Sequence, residues 1–526
     1  MALSPLASQT PGVYIDEVNA FPNSVVEVAT AIPAFIGYTP QAEYEGQSYL
    51  NTPVKITSFQ QFQAFFTFPN PPAPAAPASQ YSPQYYLTQQ KKAPEKGSYY
   101  TINGSIYTID PDPGTIYYLY NSVRLFFENG GGSAYIVSVG SYGAGTGSPV
   151  SPGSQIVNPN VKLSDLQNGL AQLQKVTEVT MYVVPEATLL TANDNSTLME
   201  SMLMQSDQMG TAMSLLDIIG GDAPDPILYT QDIQNFRNST GNTGLDYGAA
   251  YYPFLNTTIT ELDEISYENL NGGDTSSLSA IVNPPSAPNP SAEQILNNIK
   301  NPPKGMTTGQ LNQALMNSSK QYKQVMNIVQ TKINTLPPSG AMAGIYTLVD
   351  NTKGVWYAPA NVTPVGAVGL TLNINDSMQA GLNVDAVSGK SVNAIRFFNG
   401  QGILVWGART LDGNSDDWRY ISVRRTVTMI EQSVKLAARA YVFAPNDANT
   451  WRSVQSMIEN FLTNIWKEGA LQGAKPADAF SVAVGLGVTM TAQDILEGIM
   501  RVSVKLAVTH PAEFIIIQVE QEMAKS

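Results

Sequence analysis

The chain has 526 residues, 43% of them hydrophobic and 13% charged, with a formal net charge of −14 at pH 7. At ~150 residues per domain that length accommodates about three domains, and the charged fraction is well below the roughly 25% of an average domain. The absence of Cys and the single His, His510, exclude disulfides, thiolate metal sites and cysteine nucleophiles, and argue against a histidine-based metal site.

The 41 Gly, 35 Pro and 26 Tyr imply many strands and turns and surfaces that are polar rather than charged, which suits large assemblies. A run of 18 apolar residues, the length a membrane span requires, does not occur. The start, "MALSPLASQTPGVYI", lacks the basic and apolar regions of a secretory signal, so the expectation is assembly in the cytoplasm without membrane insertion. Residues 1–344 hold 13 Lys+Arg against 26 Asp+Glu, whereas 345–526 hold 15 against 16. That balance has the wrong sign for a nucleic-acid binder. The near-neutral part contains a basic stripe, Arg419, Arg424, Arg425, Lys435, Arg439 and Arg452, against only Glu431 and Asp447. Such asymmetry can steer association with a charged partner; the plainer reading is a solvated helix face.

In chain order, "TPGVYIDEV" is an extended segment after a Pro-Gly turn, and "TAIPAFIGYTP" (30–40) is a short apolar strand. Residues 41–114, with "FPNPPAPAAPASQYSP" (68–83), read as an inserted, exposed, mostly β or irregular module. Within it, Asn103-Gly104 marks a two-residue hairpin turn. From 116 to 255 helices and strands alternate: a helix stopped by Gly130–Gly132, the strand "AYIVSVG", a helix over 163–176, the strand "TMYVVPE", a helix from 197 and the apolar "DYGAAYYPFL". That alternation predicts an α/β sheet domain. Residues 271–305 read as a loop insertion, followed by one helix over about 307–334. Periodicity predicts long helices over 420–442 and 447–468, with strands at 402–411, 480–484, 500–508 and in the closing "EFIIIQVEQ" (513–521).

Candidate chemistry is thin. "SGKS" (388–391) has Val384 where a phosphate-binding loop needs glycine, so it reads as a turn. "DGNSDDW" (412–418) begins like a calcium loop but has Asp417 and Val423 where Gly and Glu are required. Asp263/Glu264 could do acid–base work only if the fold paired them with other groups. No catalytic constellation emerges, and neither an enzyme nor a cofactor is expected.

Several stretches taken together resemble the contractile tail sheath family of phage tails, phage-tail-like bacteriocins and contractile injection systems. They are "TPGVYIDEV", "AFIGYT", "FFENGGGSAYIVSV", "AAYYPF", "LPPSGAMAGIYTLVDNTKGVWYAPAN", "VNAIRFFNGQGILVWGARTL", "WRYISVRRTVTMIEQSV", "FAPNDANTWRSV" and "HPAEFIIIQVEQ", in the family's order. The sequence departs from the family at 41–114 and 271–305, and has His510 where many relatives have Arg.

The resemblance implies a multidomain α/β and α+β chain. Residues 1–29 would be a strand and linker packing with the assembly domain, 30–344 an outer α/β domain with a β-rich insertion, and 345–526 an inner, tube-facing assembly domain. It further implies stacked six-subunit rings in a helical sheath around an inner tube, ended by baseplate and terminal cap proteins, within a phage virion or injection particle. Strands at both chain ends would be exchanged with neighbouring copies through Val13, Tyr14, Ile15, Val18, Phe514, Ile515, Ile516, Ile517 and Val519, with hinges at about 19–29 and 509–513. The basic stripe is then the candidate tube-facing surface. The rival reading from composition is a β-rich adhesin or glycan-binding protein displaying 41–114.

Overall fold

The computed structural model describes residues 25–67 and 82–516. Val13, Tyr14, Ile15, Val18, Ile517 and Val519 lie outside the described residues. The chain divides into two compact units. Among the described residues, one comprises Val25–Val28 with Thr426–Thr509; the other comprises Ala29–Arg425 with His510–Ile516.

The larger unit is built on an eight-stranded sheet in the order Gly402–Val405, Asn393–Phe398, Gly248–Tyr252, Met213–Asp217, Met181–Val183, Pro33–Thr39, Ala134–Ser141, Val54–Ile56. Its six inner strands run parallel and its two edge strands antiparallel to their neighbours. Parallel strands covered on both faces are apolar without alternation. Accordingly every residue of Pro33–Thr39 and of Gly248–Tyr252 is buried. Helix Leu119–Glu128 packs on strand Pro33–Thr39 and on helix Ser339–Lys353, with the Phe126 ring edge-on to Phe35 at 5.4 Å.

The chain order reverses at strand Pro33–Thr39, which lies between Ala134–Ser141 and Met181–Val183. In open α/β sheets such a switch point is where ligands bind, at the carboxyl ends of the strands. Here the chain's own Glu186 enters that region. It is fully buried, and its Oε1 accepts the Leu119 N–H at 2.9 Å at the start of helix Leu119–Glu128. A Cβ at Gly37 would stand 2.3 Å from Glu186 Oε2, so the strand needs glycine there. Asp217, at the end of its strand, does the same for helix Ser339–Lys353. It accepts from the Ser339 backbone N–H at 2.9 Å and from the Ser339 hydroxyl. Helix N-termini carry unpaired N–H groups and a partial positive charge, so each carboxyl caps a helix from a distant part of the chain.

Four expectations change. Residues 41–114 are not merely an exposed insertion: Val54–Ile56 forms an edge of the large sheet, and helix Phe59–Phe66 buries Phe62 and Phe66 completely. The predicted hairpin is present, with strands Tyr100–Ile102 and Ser105–Pro111 and left-handed φ of 51° and 78° at Asn103 and Gly104. Residues 271–305 contain helix Pro290–Lys300, capped by Asn289 and burying Ala292 and Leu296. The helix expected over 307–334 is two, Thr308–Ser318 and Lys320–Ile333, because Ser319 is extended and its hydroxyl caps the second at Tyr322 N–H. Finally, residues 345–425 do not belong with the smaller unit: helix Ser339–Lys353 packs on helix Leu119–Glu128 and strand Asn393–Phe398 hydrogen-bonds into the large sheet, so the division comes within helix Ile421–Ala438, at Arg425/Thr426.

The smaller unit pairs an amphipathic helix with a hairpin. Helix Ala448–Lys467 starts at Asp447, whose Oδ1 accepts from Asn449 and Thr450 at 2.9 and 3.0 Å. It buries Val454, Met457, Ile458, Phe461, Leu462 and Ile465, the helical spacing read from sequence. Strands Phe480–Val484 and Val502–Leu506 form an antiparallel pair packed on this helix. Val482 is buried, while Ser481, Ser503 and Lys505 face solvent.

The buried carboxyls give the larger unit an unusual pH response. Burial pushes Glu186 up to about 8 and Asp217 up to about 7. Burial, then repulsion from Asp222 and Asp225, pushes Asp232 up to about 6. In the unfolded chain such groups titrate near roughly 4, so the folded state binds protons more tightly. Their contribution is complete below about pH 4 and is lost as pH rises towards 6 to 8. The melting temperature followed by circular dichroism should therefore rise as pH is lowered from 8.5 to 5.5, and Glu186→Gln should flatten part of that slope. A melting temperature that falls over this window would contradict the assignment.

Candidate assembly surfaces

The basic stripe does not form one surface. Arg424 and Arg425 are each only 5% exposed, which corrects the expectation that they face a partner. Arg425 is a keystone of the larger unit. Its Nη1 and Nη2 reach Asp350 Oδ1 and Oδ2 at 2.8 and 2.6 Å, and Nη2 also donates to the Thr30 carbonyl at 2.8 Å. The Thr30 hydroxyl donates to Asp350 Oδ2 at 2.6 Å. The guanidinium lies 4.8 Å from the Tyr346 ring centre, and Tyr346 shares a 2.7 Å hydrogen bond with Tyr251 of the central sheet. Arg424 sits over the Trp418 ring at 4.1 Å and the Tyr247 ring at 4.7 Å, with Asp246 at 3.5 Å. Arg419 is partly buried and paired with Asp416 at 2.7 Å. That leaves Lys435, Arg439 and Arg452 exposed, all in the smaller unit. Close in sequence to Arg439, Val442 is 61% exposed, and Phe443 is fully exposed at a left-handed φ of 69°, a conformation rare for a bulky residue.

The closing apolar segment is where the chain leaves its own core. Glu513 is held by three side chains: Arg409 Nε and Nη2 at 3.0 and 2.7 Å, Asn383 Nδ2 at 2.7 Å and Tyr420 Oη at 3.0 Å. Burial pushes its carboxyl up, but these bonds outweigh that and hold it below the usual carboxylate range. The His510 ring stands edge-on to Tyr420 at 6.0 Å. The very next residues, Phe514, Ile515 and Ile516, are 71%, 80% and 93% exposed and belong to no strand of the chain. Residues 510–513 are thus anchored, contrary to the hinge expected at 509–513. In the smaller unit, strands Phe480–Val484 and Val502–Leu506 make a two-stranded sheet that, among the described residues, no third strand joins. Isolated two-stranded sheets are marginal, and their free edges accept added strands.

The other sequence candidates resolve into structure. "SGKS" is a turn in which Ser388 N–H donates to Asp385 at 2.7 Å, and buried Lys390 donates to the Arg237 carbonyl at 2.7 Å. Among the described residues no group of three His, Cys, Asp or Glu could hold a metal, and no helix is long and apolar enough to cross a membrane.

Residues 414–522, spanning the last long helices, the hairpin and the arm, match the phage tail sheath C-terminal domain family. The chain is related to the contractile tail sheath proteins. The tail sheath protein of Vibrio phage KVP40 is 27% identical over 150 residues, which is 28% of this chain and 22% of that protein's length. The helical sheath of the anti-feeding prophage in its contracted state is 25% identical, with a TM-score of 0.57, over 98% of this chain and 100% of that one. A chain of the anti-feeding prophage baseplate, 6-fold symmetrised, matches with the same identity, TM-score and coverage. The residues that organise these surfaces, Arg409, Glu513, Asp350 and Thr30, were not singled out from sequence. Their partners lie 75 to 104 positions away or more, and no local pattern marks them.

Breaking a buried ion pair leaves an uncompensated charge and costs ~3–5 kcal/mol. Arg425→Ala should therefore destabilise the chain by about that much in urea denaturation, whereas Arg439→Glu and Arg452→Glu should stay within about 0.5 kcal/mol. Equal effects at the three positions would refute the division into buried and exposed arginines.

Proposed function

We propose that the chain is the structural subunit of a contractile sheath, polymerising as stacked helical rings around an inner tube and shortening to drive that tube through a target envelope. The observation that carries this is the match along 98% of the chain to a contracted helical sheath. The geometry supports it further. An exposed run of large apolar residues, Phe514–Ile516, leaves the fold beside a firm anchor, and the smaller unit offers a hairpin that, among the described residues, no third strand joins. Strand addition joins such halves through main-chain hydrogen bonds, with alternating side chains setting register. Each large side chain so covered contributes ~1.5–3 kcal/mol. A contact between two different patches, repeated from copy to copy, propagates as a helix rather than closing as a dimer.

In this reading residues around Val13, Tyr14, Ile15 and Val18 add a second exchanged strand, and partners at the ends of the polymer are baseplate and cap proteins. The tube-facing surface is reassigned to Lys435, Arg439 and Arg452. Solvent-screened charges release a tube more readily than a dry apolar seam. The particle is a phage tail or an injection device put together in the bacterial cytoplasm. The adhesin alternative relied on a displayed 41–114 module and loses its footing once Ile56, Phe62 and Phe66 are core residues.

Purified chain should form striated tubes or rings in negative stain, and removal of residues 514–526 should abolish them without lowering the melting temperature. Normal polymers from that truncation would overturn strand exchange. Lys435→Glu, Arg439→Glu and Arg452→Glu together should reduce assembly on isolated tubes at least tenfold while leaving the fold intact; unchanged loading would remove the surface assignment.

A further inference from the structure

The Glu513 pocket is over-built for a passing loop. Arg409 is 4% exposed and engages the carboxylate with both Nε and Nη2. The rest of the guanidinium is tied to its own surroundings, with Nη1 donating to the Gly413 carbonyl at 3.2 Å. Asn383 comes from the end of helix Asp376–Asn383, Arg409 from the segment after the sheet edge, and Tyr420 from just before helix Ile421–Ala438. Three separated elements thus converge on one carboxylate near the end of the chain. If the arm swung away whole, Arg409 would be left as a buried cation without its acid, which is strongly unfavourable. Within one residue of this anchor the chain changes from pinned to bare, since Phe514 is 71% exposed.

Resting on the sheath reading above, we propose that Glu513 is a pin: it keeps everything up to residue 513 on its own subunit, so that only the segment from Phe514 onward is exchanged. Glu513 is a positioning residue for assembly. The six residues Phe514–Val519 span at most roughly 20 Å when extended. The edge that receives them must therefore lie within about that distance of the donor's own Arg409 pocket, in the long and the short state of the polymer alike. Motion is then confined to the arm beyond the pin and to the chain before His510.

Glutamyl endopeptidase tests this on the dispersed full-length chain, with intact mass reading the cut positions. Cleavage after Glu513 should be at least tenfold slower than after Glu520 of the same arm. Arg409→Gln should raise the Glu513 cut at least tenfold and leave the Glu520 cut unchanged. Tyr420→Phe, which keeps the ring and removes one hydrogen bond, should raise it about threefold and serves if Arg409→Gln does not fold. Equal rates at the two positions in the unsubstituted chain, or no response to either substitution, would overturn the pin. Slow cutting after Glu513 in a chain that forms no polymers would instead uphold the anchor and overturn the exchange.

Discussion

The buried pair between Arg425 and Asp350 is the contact on which the larger unit depends. Asp350 lies on the helix whose start is capped by Asp217, Tyr346 one turn earlier stacks on the Arg425 guanidinium, and Tyr346 bonds to Tyr251 in the central sheet. Thr30 joins the same cluster just before the first strand of the sheet. One ion pair therefore ties together the sheet, two helices and the entry of the chain. A guanidinium suits this position because its planar fork can bind a carboxylate with two bonds while its face rests on an aromatic ring.

The chain passes between the two units three times, at 28/29, 425/426 and 509/510. On the larger unit's side a hydrogen-bonded polar anchor lies close to each passage: Thr30, the buried Arg425 itself and the half-buried Glu513. The positions of these anchors give the arm a fixed origin. A polymer that shortens without coming apart needs some contacts that persist and others that release. In the proposed sheath, main-chain pairing of an arm whose root is pinned would be of the first kind, and exposed charges such as Lys435 and Arg439 would be of the second.

Much of the architecture was legible because periodicity reports burial. The alternation of strands and helices from 116 to 255 became the parallel sheet, and the stripe Val454–Ile465 became the buried face of a long helix. The hairpin at Asn103-Gly104 was written in its turn residues. What failed did so for physical reasons. Proline-rich composition masked Phe62 and Phe66, whose burial depends on residues far along the chain. The basic stripe was read from charge alone, yet Arg425 and Arg424 are paired with acids 75 and 178 positions away, Asp350 and Asp246. The closing apolar run reads from sequence as a strand in need of a neighbour, whereas Phe514–Ile516 form no strand within the chain, and Glu513 looked like a polar flank until Arg409, Asn383 and Tyr420 were seen to meet it.

Because the chain contains no cysteine, the most direct test is a cross-link between copies. Two differently tagged preparations, one with Ile516→Cys and one with Lys505→Cys, are mixed, polymerised and oxidised. Covalent dimers carrying both tags, present in polymers and absent from dispersed chains, are the predicted result. Polymers that form normally yet yield no mixed dimer would contradict the account.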